Sequence, residues 1–276
     1  MQKILLAMNA LNINNSSIDF ATYIANKTRS KITAVFLEQG EVAEAIMPGA
    51  FGNLLGTEEF AECDYTEVTE GNELVEKNKQ QFKDACAASN VGCTIHYSKG
   101  VALDEILKES RFADLIITDV STSVSKEKDG IPSNFVKDLL ADAECPVIIS
   151  PFEFDEINEV IFTYDGSESS VFAIKQFSYL FPEFEDLKIT LIEIVDDDNN
   201  ELTEKEKIKE WLMMRYNAVH IELLHGEPEE ALFSKYLTQR NKILIMGAYG
   251  RKIFLKHSTA DLILKTLDIP VFIAHH

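Results

Sequence analysis

Internal repetition constrains this sequence more than any other feature. The run Lys3-Ile4-Leu5-Leu6-Ala7-Met8-Asn9 near the start returns as Glu159-Val160-Ile161-Phe162-Thr163-Tyr164-Asp165 in the middle. Cys145-Pro146-Val147-Ile148-Ile149-Ser150 returns as Ile269-Pro270-Val271-Phe272-Ile273-Ala274 at the end. Between these bookends, Gly100 to Leu107 is answered by Gly226 to Phe233, and Ala113 to Asp119 by Asn241 to Gly247. A chain written this way is expected to fold as two tandem domains, 1-152 and 158-276, joined by a short acidic linker from Asp155 to Asn158. With 276 residues, 46% of them hydrophobic, each half can bury a core of its own without a disulfide or metal.

Each half alternates apolar runs with amphipathic ones. The first run is nearly uninterrupted by polar residues, as in a strand covered on both faces by helices. Helical patterns follow over Ser17 to Ala25 and Ser170 to Phe177, then strands over Lys31 to Leu37 and Leu187 to Ile194. Longer helices over Thr69 to Ala88 and Glu204 to Tyr216 precede strands Cys93 to Tyr97 and Val219 to Leu224. A short helix, a fourth strand, a last helix and a proline-led fifth strand close each unit. Strict alternation implies an α/β fold: doubly wound parallel sheets with right-handed crossovers and helices on both faces. The halves differ between Glu38 and Tyr65, where the first carries an insertion with Pro48, Gly49, Gly52 and Gly56 among Met47, Phe51, Leu54 and Leu55. It reads either as an ordered flap or as a short helical insertion lying on its own domain.

Charge narrows the partners. Twenty-six basic against 46 acidic residues leave a net charge of −20, which repels nucleic acid and anionic lipid. Cys63, Cys86, Cys93 and Cys145 form no C-x-x-C pair and read as free thiols in a reducing compartment. The amino terminus enters a strand directly, and no apolar run approaches the roughly 18 residues that span a bilayer. A soluble, cytoplasmic protein is expected.

Ligands of open α/β sheets bind beyond the carboxyl ends of the strands, where strand order reverses. In the second half those positions hold Asp165-Gly166-Ser167 and Gly247-Ala248-Tyr249-Gly250. Glycines there let backbone amides approach a phosphate, and a helix starting near His257-Ser258-Thr259 adds its amino-terminal dipole and two hydroxyls. Asp165 is placed to accept hydrogen bonds from a base or ribose; the competing reading makes Asp-Gly-Ser an ordinary helix-capping turn.

Taken together, these residues resemble the universal stress protein (UspA-like) family. The second half has its first strand ending in Asp165-Gly166-Ser167, a Gly226-x-Pro228 turn before the third helix, Gly247-x-x-Gly250 after the fourth strand and the closing Pro270-Val271-Phe272-Ile273. The resemblance covers both halves. It implies two tandem doubly wound domains, each a five-stranded parallel sheet in the order 3-2-1-4-5. It also implies a nucleotide site in which G-x-x-G and a later Gly-Ser or Gly-Thr cradle phosphates while the first-strand Asp faces adenine. The cofactor so implied is ATP or another adenine nucleotide in the second domain only, with no metal beyond nucleotide-bound Mg. The binding residues carried over are Asp165, Gly166, Ser167, Gly226, Gly247, Gly250, Arg251, Ser258 and Thr259.

The chain departs from the family motif in both halves. Arg251 to His257 is a shorter spacer than the family's, and no glycine precedes Ser258. Arg251, Lys252 and Lys256 nevertheless set positive charge beside the site. The first half has Asn9 for Asp165 and Asp119-Val120-Ser121-Thr122 for the glycine loop, a carboxylate where a phosphate would sit, so it is expected to bind no nucleotide.

Other motifs carry less. Asp196 to Glu201 lacks the spaced ligands and turn glycine of a calcium loop and reads as a solvated loop. His225 has no nucleophile beside it, His96, His220 and His257 lack a partner at zinc spacing, and neither a P-loop nor a nucleophile elbow occurs. With no catalytic residue and no metal ligand to name, the expected function is a tandem stress-response protein that binds an adenine nucleotide or small anion and acts through ligand-dependent interaction. The rivals are a nucleotide-free scaffold that binds a protein partner through a surface including Gly40 to Tyr65, and a slow ATP hydrolase. In a 3-2-1-4-5 sheet the fifth strands are apolar edges, and they are expected to pair with each other across a pseudo-twofold axis, so that one chain mimics a dimer.

Overall fold

The computed structural model describes residues 1–38, 70–98, 101–124, 129–195, 202–247 and 257–274. The insertion after Glu38, the acidic run Asp196 to Glu201, and Ala248 to Lys256 lie outside the described residues.

The first half runs β1 (Lys3–Asn9), α1 (Asn15–Thr28), β2 (Lys31–Leu37), α2 (Glu70–Ala88), β3 (Cys93–Ser98), α3 (Ala102–Ser110), β4 (Leu115–Asp119), α4 (Asn134–Asp142) and β5 (Val147–Ser150). The second repeats it as β6 (Glu159–Tyr164), α5 (Glu168–Leu180), β7 (Lys188–Val195), α6 (Lys205–Met213), β8 (Val219–His225), α7 (Pro228–Tyr236), β9 (Lys242–Gly247), α8 (His257–Thr266) and β10 (Val271–Ala274). The strands form one ten-stranded sheet, β3-β2-β1-β4-β5-β10-β9-β6-β7-β8. Each half therefore has the order 3-2-1-4-5, and the fold is α/β and doubly wound.

All pairings are parallel except the central one. There β5 and β10 run antiparallel, with Val147 opposite Ile273, Ile148 opposite Phe272 and Ile149 opposite Val271. The two proline-led strands cover each other's free backbone edges, which would otherwise stand exposed. Alternation along the strands splits the core between the two faces. Ile4, Leu6 and Met8 join Ile148, Phe162, Phe177 and Phe272 on one face, while Leu5 and Ala7 join Ile149, Ile161, Leu244 and Val271 on the other. Both layers run across the junction of the halves, so burial at the seam stabilises both together.

Segment 151–158 is also packed. The Phe154 ring meets Phe20 edge-on at 4.9 Å and Tyr23 at 4.8 Å, and the buried Ile157 donates its N–H to the Tyr23 hydroxyl. The Asp268 carboxylate accepts from the Phe152 N–H at 2.8 Å, and Arg240 pairs with both Asp268 and Glu153. Among the described residues no helix is long and apolar enough to cross a membrane.

Candidate ligand site at the switch point of each half

The order reverses between β1 and β4 in the first half and between β6 and β9 in the second, which puts one crevice over the strand ends in each. The two crevices are built differently.

In the second half the turn after β6 is tight. Gly166 has φ of 72°, a left-handed conformation that favours glycine, and α5 begins at Glu168. Asp165 Oδ1 accepts from the Ser167 N–H at 2.9 Å, and the Ser167 hydroxyl caps α5 by accepting from the Ser170 N–H at 3.1 Å. Asp165 and Ser167 thus build the capping turn, and Asp165 keeps its second carboxylate oxygen without a partner among the described residues. Gly247 ends β9 where α5 comes close: a Cβ there would stand 2.5 Å from the Ser169 carbonyl carbon and 2.6 Å from its oxygen. Its missing side chain is accounted for by helix packing.

Three residues with no part in the motif complete the floor. Glu193, 4% exposed near the end of β7, accepts from the Thr203 N–H at 2.7 Å and its hydroxyl at 2.6 Å. Thr203 in turn lies against Gly166, its Cγ2 being 2.5 Å from where a Cβ would stand. Tyr164 is buried, and its hydroxyl is pushed up to about 12 by burial first and then by Glu193, Glu204 and Asp165. Three carboxylates, Glu193, Glu204 and Asp165, therefore act on this hydroxyl. The signal for Glu193 was present in the sequence, a lone acid inside an otherwise apolar strand, but nothing there named its partner.

Of the remaining candidates, Gly226 follows β8 with φ of 101°, and β7 stands between β8 and β6 in the sheet. Gly250 and Arg251 lie outside the described residues, and Ser258 and Thr259 are described only as backbone in the first turn of α8.

In the first half the crevice is bridged by the chain itself. Asn9 Oδ1 accepts from the N–H groups of Leu11 and Asn12 at 2.8 and 2.9 Å, and its Nδ2 reaches across to donate to the Ser123 carbonyl at 2.6 Å. Asp119, where the second half has Gly247, accepts from the Ser121 N–H, the Ser121 hydroxyl and the Thr122 hydroxyl at 2.8, 2.5 and 2.7 Å. Ser123 and Asn134 both donate to Asp129, at 2.6 and 2.9 Å. These backbone and hydroxyl donors are thus engaged by the chain's own side chains, Asn9, Asp119 and Asp129.

Three histidines lie on the outer strands β3 and β8. His96 Nδ1 meets Glu109 at 2.5 Å, His220 lies 3.9 Å from Glu222, and His225 is exposed at the end of β8. Among the described residues no group of three or more His, Cys, Asp or Glu side chains is placed to hold a metal.

Two doubly wound halves fused through their fifth strands, with a crevice at each switch point, define the class of this protein. No family model matches the chain. It is 22% identical to a universal stress protein of Synechocystis, over 98% of this chain and 99% of the relative. The crystal structure of a universal stress protein from Archaeoglobus fulgidus superposes with a TM-score of 0.67 at 17% identity, covering 99% of this chain and 98% of the other. A functionally unknown protein from Pseudomonas aeruginosa gives 0.56 at 13% identity, covering 100% of this chain and 92% of its own. The resemblance to the universal stress proteins thus runs the full length of the chain, and the fold is theirs.

Proposed function

We propose that this chain is a tandem universal stress protein whose second half, 158-276, binds an adenine nucleotide or a small anion, while the first half, 1-152, is ligand-free. The observation that carries this reading is the contrast between the crevices. The first is spanned by the Asn9 to Ser123 hydrogen bond and filled by the self-paired Asp119. The second has glycine at the matching strand end, and the Asp165 carboxylate spends one oxygen on its own turn. Asp165 is the group that reads the base or ribose, through the oxygen its turn leaves unused. Because the described floor is acidic, the phosphates depend on Arg251, Lys252, Lys256 and the start of α8 for positive charge, and nucleotide enters with Mg. The reading is of a protein that acts through a ligand-dependent protein interaction rather than turnover.

Thermal shift and equilibrium dialysis with ATP, ADP, AMP, a cyclic nucleotide and inorganic phosphate test this directly, since a ligand of the folded state raises its stability by RT ln(1 + [L]/Kd). Asp165→Ala is expected to weaken nucleotide binding by about 1–3 kcal/mol while leaving phosphate binding unchanged, and Asp119→Asn is expected to change neither. Unchanged nucleotide affinity in Asp165→Ala would leave Asp165 as a capping residue alone.

A further inference from the structure

Two thiols outside the crevices face each other across the first half. Cys86 lies in the last turn of α2 and is fully buried in the layer between helices and sheet. The chain turns back through 89–92, closed by the Val91 N–H donating to the Cys86 carbonyl at 2.9 Å, and enters β3 at Cys93. Cys93, Ile95 and Tyr97 pack against the layer that holds Cys86, and the Cys86 and Cys93 side chains lie within hydrogen-bonding contact of each other. Both are free thiols. The Cys86 thiol is pushed up to about 12 by its burial and further by the adjacent Cys93. Among the described residues β3 is the edge strand of its half and pairs with β2.

We propose that Cys86 and Cys93 form a reversible disulfide, when the chain meets a low-molecular-weight disulfide, and that it fastens the end of α2 to the edge strand β3. Half-buried Cys93 is the accessible sulfur. Its thiolate attacks the reagent, the reagent's sulfur–sulfur bond breaks, and one reagent thiol leaves. Cys86 then attacks the Cys93 sulfur of the mixed disulfide, and its proton passes to the second reagent sulfur as that leaves as a thiol. Two protein thiols are oxidised and one reagent disulfide is reduced to two thiols. Closing so short a loop removes freedom from the unfolded chain and holds the edge strand.

The test is to incubate the folded full-length chain with oxidised glutathione, quench in acid, unfold, alkylate and map by mass spectrometry. Of the four cysteines, two are expected to escape alkylation as a Cys86–Cys93 linked peptide. The melting temperature is expected to rise by about 5 °C and to fall back with dithiothreitol. Cys93→Ser removes the link and the rise, and Cys145→Ser keeps both. Full alkylation of Cys86, a glutathione adduct that persists on Cys93, or a link from either residue to Cys63 or Cys145 would overturn the proposal.

Discussion

Glu159 opens β6 as a buried carboxylate, and its neighbours explain how an acid is tolerated there. It accepts from the Thr190 hydroxyl at 2.6 Å and from Lys242, and pairs with Lys188 at 3.1 Å. Burial alone raises its carboxyl, but the hydrogen bonds from Lys242, Thr190 and Lys188 outweigh it and hold the group below its ordinary 4.5. A depressed carboxyl contributes stability that is present above the ordinary value and lost as pH falls through the folded-state value. Glu159→Gln should therefore cost about 3 kcal/mol at neutral pH, by leaving Lys242 unpaired, and the penalty should shrink in urea titrations below pH 4.5. An equal penalty at pH 7 and pH 3 would show that the carboxylate charge is not what matters. At this scale Asp165, Gly166 and Ser167 form the helix-capping turn that the sequence offered as the competing reading. Its silence on Glu193 and Thr203 has a plain cause: their pairing joins a strand to a loop that only the folded chain brings beside it.

Elements make sharper demands where they touch. The first turn of α5 presses on the end of β9, and Gly247 is the contact. Gly247→Ala should destabilise by about 1–3 kcal/mol, because the atom in the way is backbone and cannot rotate aside. Gly226 offers a control: a Cβ there meets nothing within 4 Å, so Gly226→Ala is penalised only for φ of 101°, about 1 kcal/mol. Denaturant unfolding of the two variants should rank them in that order, and a larger loss from Gly226→Ala would mean that α5 can shift. The periodicity made these elements legible almost to the residue: β2 was expected over Lys31 to Leu37 and occupies that range. The reason for the glycine was not legible, since G-x-x-G looks the same in sequence whether helix packing or a phosphate requires it.

For the whole molecule, the antiparallel seam decides cooperativity. Phe272 is fully buried opposite Ile148, and its ring meets Phe177 at 5.4 Å and Phe181 at 6.2 Å. Phe272→Ala should cost about 3–5 kcal/mol and lower one shared melting transition rather than split it, because both core layers cross the seam. Two separated transitions by calorimetry would show that the halves unfold independently. The net charge of −20 acts at the same scale: added monovalent salt should raise the melting temperature by screening self-repulsion.

Repetition, strand period and proline-led closing strands were enough to determine two α/β units, because burial on both faces leaves a parallel strand little choice of composition; the order 3-2-1-4-5 came with the family resemblance and is seen in the sheet. Alignment of the two halves set Asn9 opposite Asp165 and Asp119 opposite Gly247. Only the tertiary structure decided what that difference does. Asn9 reaches the Ser123 carbonyl far along the chain, and Asp119 finds its donors inside its own loop. Side-chain hydrogen bonds follow distance in space, and local pattern does not encode it.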